Sequence, residues 1–402
     1  ISDVDTLESF RNHERKLEFL SVRSLLTQMT NPSAKIIYNG FRKPFLRDKS
    51  FNISITHSHL LTSIILSREK RVGIDMEYMT DRTRKVVHKI NGDIEYEMRV
   101  ILLNKCDVMT GMVGEFASLE GVMGKRYAQV AGEAEKVSLA LDEKYKPRGA
   151  SDDTASTMTG QILAISDKLD SLVGIFAIVQ KPTGEKDPYA LRRASLGILR
   201  TIIERQLDLD LKQLITMSAE LLADKVEAGK VEQDVFDYIL ERLRAYDLDR
   251  KVTPDVFDAV SALSPSHPLD FDNRIKAVSA FRELAEAESL AAANKRVANI
   301  LKKSALDNTV TVNESLLSED AEKKLYATLS TLSKTVEPMF DAGDYEAALS
   351  QLSSLRDPVD AFFDSVMVMA DDEAIKNNRI ALLNTMHQLF LRAVDLSYLH
   401  QS

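Results

Sequence analysis

The chain has 402 residues, of which 44% are hydrophobic and 28% charged, and it carries a net charge of −9. That composition is that of a globular protein of about two or three domains; no apolar run is long enough to span a membrane, no secretory signal is recognisable, and the acidity excludes bulk electrostatic capture of nucleic acid while leaving room for a local basic face. One cysteine, Cys106, excludes an internal disulfide and a cysteine-based zinc site, and the lack of Trp with only 6% aromatic residues argues against a broad stacking surface for single strands.

Residues 7–29 place Phe10, Leu17, Leu20, Val22 and Leu25 at helical spacing and predict an amphipathic helix, stopped by Asn31-Pro32. The runs Ile36 to Tyr38, Phe51 to Ile55, Leu60 to Leu66 and Val72 to Met76 lie between turn residues and predict strands. The first 80 residues are therefore expected to be α+β. Asp75 and Glu77 alternate along the last strand, so both carboxylates share a face. Two hard oxygen ligands on one face suit Mg²⁺ beside a pyrophosphate.

Three patterns here resemble Sfp-type 4′-phosphopantetheinyl transferases: RKPFL at 42–46, FNISITHS at 51–58 and VGIDME at 72–77. The segment from Arg15 to Leu26 also resembles a helix of that family. The resemblance implies coenzyme A phosphates held by Lys43 and His57, with Arg23 as a further phosphate partner, and Mg²⁺ held by Asp75 and Glu77. Two departures stand out. Arg42 replaces the family's usual Gly, and nothing after Glu77 matches the helix that supplies another metal carboxylate and a lysine. Transfer of phosphopantetheine is therefore not expected, and Asp75 and Glu77 read equally well as solvated edge-strand charges.

From Ile94 the pattern turns helical. Residues 94–113 predict one helix, the glycines of 120–133 predict turns, and 133–146 predict a helix ended by Pro147. A loop at 148–157 carries N-cap candidates. Helices over 158–180 and 188–206 follow, separated by the Lys181-Pro182-Thr183-Gly184 corner. Asp187 before Pro188 predicts an N-cap with proline at the first helical position. Leu191, Ala194, Ile198, Leu199, Ile202 and Ile203 form the apolar face of the second helix.

The segments DKLDSLVGIF, QKPTG and KDPYALRRA within 167–194 resemble the β subunit of bacterial heterotetrameric glycyl-tRNA synthetase, and the resemblance extends from about Gly92 to the C-terminus. It implies an HD-like helical domain over 91–206, a helical connecting region over 207–269 and an anticodon-binding bundle over 270–402, after an α+β fragment over 1–90. The abrupt change near Ile90 suggests a fusion of two gene fragments. In the HD-like domain the His-Asp position reads Cys106-Asp107, the distal carboxylate is Asp167 or Asp170, and no histidine lies between His88 and His267. A working metal site is therefore not expected, and Asp107 and Asp170 are expected to cap helices or pair with cations.

In the connecting region Leu207 to Leu211 start a helix, Val235, Ile239 and Leu243 face inward on the next, and Thr253-Pro254-Asp255 cap a third. Ser264 to Pro268 reads as a linker. One long helix, capped by Asp272, is expected to run to Lys303, with a basic edge of Arg274, Lys276, Lys295, Arg296, Lys302 and Lys303. AANKRVANILKK at 292–303 resembles the first helix of the anticodon-binding bundle of arginyl-tRNA and related synthetases. That resemblance favours tRNA contact by Arg274, Lys295, Arg296, Asn299, Lys302 and Lys303 over a merely solvated edge. Beyond it, Gly343 divides two helices, Asp357 caps a third at Pro358, and Phe362, Phe363, Val366 and Met367 are expected in the core.

The expected fold is mainly α with a small α+β start. The resemblance implies a tRNA-binding portion of the β subunit. It also implies that a separate α subunit holds the catalytic core for ATP-dependent attachment of glycine to its tRNA; with no class II motif or Gly-rich phosphate loop, this chain is not expected to form glycyl-adenylate alone. Glycine tRNA and the α subunit are the implied partners, with neither membrane nor DNA. The C-terminal part needs no cofactor of its own, and the implied compartment is the cytoplasm. The alternative is a transferase moving phosphopantetheine from coenzyme A to a carrier-protein serine with Mg²⁺.

Overall fold

Helices carry most of the chain in the computed structural model, which describes residues 13–30, 34–38, 44–58, 61–67, 94–178, 187–222, 231–304 and 310–399. Two compact units emerge, one of residues 1–172 with 182–201, the other of 173–181 with 202–402. Among the described residues no helix is long and apolar enough to cross a membrane.

The first unit opens with α1 (His13–Met29) and two antiparallel hairpins, β1 (Ile36–Tyr38) with β2 (Pro44–Leu46) and β3 (Asn52–Ser58) with β4 (Leu61–Ser67). Register sets Ile36 opposite Leu46, Ile53 opposite Leu66 and Ile55 opposite Ile64. Leu26, Leu46 and Ile53 close a small core on which Ile36, Phe51 and Leu66 pack. The short β2 is not evident from sequence because it begins with Pro44, which fits only the start or edge of a strand. The strand expected over Val72 to Met76 lies outside the described residues.

Among the described residues six α-helices follow, the last two ending beyond the bounds of the first unit: α2 (Ile94–Leu103), α3 (Gly111–Glu115), α4 (Val122–Val130), α5 (Glu135–Glu143), α6 (Met158–Ala177) and α7 (Leu191–Glu204). The single helix expected over 94–113 is thus two. Asn104 turns back to donate to the Ile101 carbonyl at 2.7 Å, and the Thr110 hydroxyl caps α3 by accepting from the Val113 amide. Both are local side-chain bonds that compete with helix continuation. Val100, Ala128, Val137, Ala140, Leu141 and Leu163 form the core here. At α7, Asp187 accepts from the amides of Leu191 and Arg192 at 2.8 and 2.9 Å. The helix starts at Leu191 rather than Pro188, with Ala190 at φ 55 in between, yet the same aspartate satisfies its first amides. Leu191, Ile198, Leu199, Ile202 and Ile203 are buried as the spacing predicts.

The second unit contains α8 (Leu211–Leu222), α9 (Glu232–Asp249), α10 (Pro254–Ser261), α11 (Pro268–Arg282), α12 (Ala287–Lys303), α13 (Asp320–Asp341), α14 (Tyr345–Leu352), α15 (Arg356–Ser365) and α16 (Glu373–Leu391). Val235, Ile239 and Leu243 are buried on α9 as expected. Ser264 to Pro268 is not a free linker: Ser266 accepts from the Leu211 amide at 2.9 Å, and His267 Nδ1 meets Asp208 Oδ1 at 2.7 Å. The long helix expected from Asp272 to Lys303 is broken over residues 283–286, where no Gly or Pro marks the break. Asp272 caps nothing. It lies buried in the second turn of α11, accepting from Arg250 at 2.7 Å and paired with Lys276 at 2.6 Å.

Helix α16 runs through the bundle, with Ile380, Leu382, Leu383, Met386 and Phe390 buried and Phe390 6.5 Å from Phe281. Gly343, at φ +74, joins α13 to α14 as the sequence predicts, in a backbone region that glycine occupies freely. Phe362 and Val366 are core, but Met367 is 74% exposed. Helix α15 ends at Ser365 and Val366 is extended (φ −109, ψ 122), so the side-chain period changes from 3.6 to 2. Val366 and Val368 then point in, and Met367 and Met369 point out.

Candidate nucleic-acid interface

Helix α12 is alanine-rich and so forms readily. Glu288 in its first turn and Lys302 and Lys303 in its last complement the helix dipole. Its buried side is Ala287, Leu290, Ala291, Ala293, Asn294 and Val297. Lys295, Arg296, Asn299, Lys302 and Lys303 are all exposed. At about 100° per residue these five fall within an arc of roughly 120°, along about 12 Å of axis. Among the described residues none of the four cations is paired with a carboxylate.

The two asparagines of the segment divide by this geometry. Asn294 is buried, donating to the Leu290 carbonyl at 2.9 Å and meeting His387 Nδ1 at 3.4 Å. Burial holds the His387 ring below its ordinary pKa, with Asp395 opposing, so His387 is a neutral core partner. Asn299 alone faces solvent.

Arg296 differs from its neighbours. Its guanidinium lies over the Phe363 ring of α15, 4.2 Å from the centroid, and Phe363 rests edge-on against Phe362 at 5.6 Å. Phe363 is only half-buried. Sequence reasoning missed its role because a Phe-Phe pair in an amphipathic helix reads as core. Met367 was missed for the same reason, and the change of period after Ser365 is the signal that distinguishes it.

Arg274 stands apart from this face. It lies on α11, and its guanidinium donates to Asp270 Oδ2 at 2.7 Å, to the carbonyls of Arg392 and Ala393 at 2.7 and 3.0 Å, and to the Tyr345 hydroxyl at 2.8 Å. The side chain is 15% exposed and stacks on the Tyr345 ring at 4.3 Å. Those bonds tie α11 to α14 and to the end of α16, leaving little of Arg274 for an outside phosphate.

Asp107, in the segment expected to be HD-like, is buried. It accepts from the Gly121 amide at 2.7 Å and from the Tyr145 hydroxyl at 3.1 Å. Gly121 is the N-cap of α4, so Asp107 anchors a helix start. Burial and the Asp107 charge hold the Tyr145 hydroxyl protonated. Asp167 lies 3.5 Å from Lys105 and 3.9 Å from Lys144, and Asp170 is exposed. Among the described residues no three His, Cys, Asp or Glu side chains come together as metal ligands.

Of the residues implied for coenzyme A and Mg²⁺, Lys43, Asp75 and Glu77 lie outside the described residues, as does the side chain of His57 on β3. Arg23 is half-buried, with its guanidinium 3.2 Å from the centroid of the Phe19 ring.

Residues 69–262 match the family model described as glycyl-tRNA synthetase beta subunit, and residues 290–397 match the DALR anticodon binding domain. The first match begins ahead of the 72–77 segment and so includes Asp75 and Glu77. A glycine–tRNA ligase beta subunit from Aliivibrio fischeri is 50% identical over 323 residues, which is 80% of this chain and 47% of the relative. Beta subunits from Vibrio campbellii (49% over 323 residues; 80% of this chain, 46% of the relative) and Pseudomonas aeruginosa (50% over 314; 78% and 46%) are similar to the same extent. The chain spans just under half the length of these curated relatives. The transferase resemblance of residues 1–90, and with it the reading of a fusion, finds no support in these comparisons. The C-terminal part of the chain matches the glycyl-tRNA synthetase beta subunit family, and all but the first turn of helix α12 falls in the segment that matches the DALR anticodon binding domain.

Proposed function

We propose that this chain binds glycine tRNA through α12 as a portion of a glycyl-tRNA synthetase β subunit, and supports a separate α subunit that attaches glycine with ATP in the cytoplasm. The observation that carries the reading is the exposed set Lys295, Arg296, Asn299, Lys302 and Lys303 on one face of α12, inside the segment that matches an anticodon-binding domain. The net charge of −9 makes a local face the only electrostatic route to RNA. Lysine and arginine side chains fix phosphates and release counterions, and Asn299 supplies a polar group for a base edge. Catalysis is assigned to the α subunit because the curated relatives are beta subunits of glycine–tRNA ligase.

The test is fluorescence titration of glycine tRNA at several salt concentrations. Arg296→Ala combined with Lys302→Ala should weaken binding and flatten the salt slope by about one to two units, roughly one for each phosphate that is no longer neutralised. Unchanged affinity and slope in a variant that stays helical would refute the assignment.

A further inference from the structure

We propose that Arg296 and Phe363 form a stacking seat for one unpaired nucleobase of the bound tRNA, so that α12 supplies a stacked base contact beside its phosphate charge and the base-edge contact of Asn299. This inference rests on the tRNA-binding reading above. A guanidinium is flat and delocalised, and that of Arg296 lies over the Phe363 ring, 4.2 Å from its centroid, on a residue that is otherwise exposed to solvent. Unpaired RNA bases are recognised by stacking on aromatic rings and on arginine planes. The charge also strengthens the contact, since a cation attracts the π-face of ring and base alike.

The seat is fixed rather than mobile. Phe363 is braced by Phe362, and the helix that carries both is tied to α12 by the Ser289 hydroxyl, which donates to Asp360 at 2.7 Å. Just past the end of α15, Met367 and Met369 are 74% and 61% exposed. Arg379 Nη1 donates to the Met367 carbonyl at 2.8 Å and holds that outward-facing stretch in place. Thioethers are polarizable and pack well against aromatic edges, which suits a surface that receives a base. Lys295, Lys302 and Lys303 need only a phosphate; among the described residues Arg296 alone of the four is oriented by an aromatic ring.

The test uses the full chain and glycine tRNA with 2-aminopurine at an unpaired anticodon-loop position. Arg296→Lys keeps the charge and removes the plane. It should lower affinity about tenfold, leave the salt slope unchanged and abolish the 2-aminopurine signal. Phe363→Leu, which frees the guanidinium, should act in the same direction. Lys302→Ala should instead lower the slope by about one and keep the signal. If Arg296→Lys binds with wild-type affinity and signal while Lys302→Ala lowers the slope, the stacking seat is wrong and the tRNA face stands. If no variant changes affinity, slope or signal, both fall.

Discussion

Arg379→Met should lower the unfolding free energy of the C-terminal unit by about 3–5 kcal/mol, the cost of leaving a buried charge without its partner. Arg379 and Glu322 pair directly with side chains 8% and 0% exposed. Glu322 also accepts from the amides of Ser318 and Glu319, at 2.8 and 2.9 Å, and so closes the capping box of α13. Burial opposes its ionisation, but the Glu319 amide and Arg379 outweigh burial and hold its pKa below the usual glutamate range. Arg379 in turn bonds the Met367 carbonyl, so one side chain joins α16, α13 and the segment after α15. Methionine keeps the volume and removes the charge. Urea denaturation followed by helical circular dichroism checks this. A loss under about 1 kcal/mol would place the pair among those that do not hold their fold.

Glu143→Ala should cost the first unit about 3–4 kcal/mol, because buried donors lose a charged acceptor. Glu143 is 1% exposed at the end of α5. It accepts from the Ser156 amide and hydroxyl at 2.8 and 2.6 Å, and from the amide of Thr157 at 3.0 Å and its hydroxyl. It thereby fixes the turn that enters α6. Gly160 is part of the arrangement: a Cβ there would collide with Glu143 Oε2. Burial pushes the Glu143 pKa up, yet the bonds from Ser156 and Thr157 prevail and hold it below the usual range. A carboxyl depressed in the folded state stabilises above its unfolded pKa, near 4.3, and loses that contribution as pH falls through the folded value. The difference between wild type and Glu143→Ala should therefore be full at pH 7 and shrink towards pH 3. Hydrogen exchange at Ser156, Thr157 and the first turn of α6 reads it locally. A difference independent of pH would show that the ionised carboxylate is not what holds the turn.

Helix content was legible because its signal is periodic. Leu191, Ile198 and Ile202 recur on one face, and Leu290 and Val297 lie opposite Lys295 and Lys302, so burial on one side announced exposure on the other. Breaks were less legible. The turn after Leu103 rests on side-chain bonds of Asn104 and Thr110, and the break after Arg282 carries no Gly or Pro. Arg274 shows the limit for function: its charge was visible, but its four acceptors come from Asp270, Tyr345, Arg392 and Ala393, distant in sequence except for the first. Phe363 shows the reverse, a residue that reads as core and turns out to orient an exposed arginine. The family of the C-terminal part was carried by long motifs around 167–194, whose specificity comes from length rather than from any one residue.

Ultraviolet crosslinking of glycine tRNA to the full chain, with the attached peptides identified by mass spectrometry, tests the central claim most directly. Crosslinks should fall on α12 between Lys295 and Lys303 and on the Phe363 to Met369 segment, and should fade as salt rises. Crosslinks confined to α1 to α7, or insensitive to salt, would contradict it.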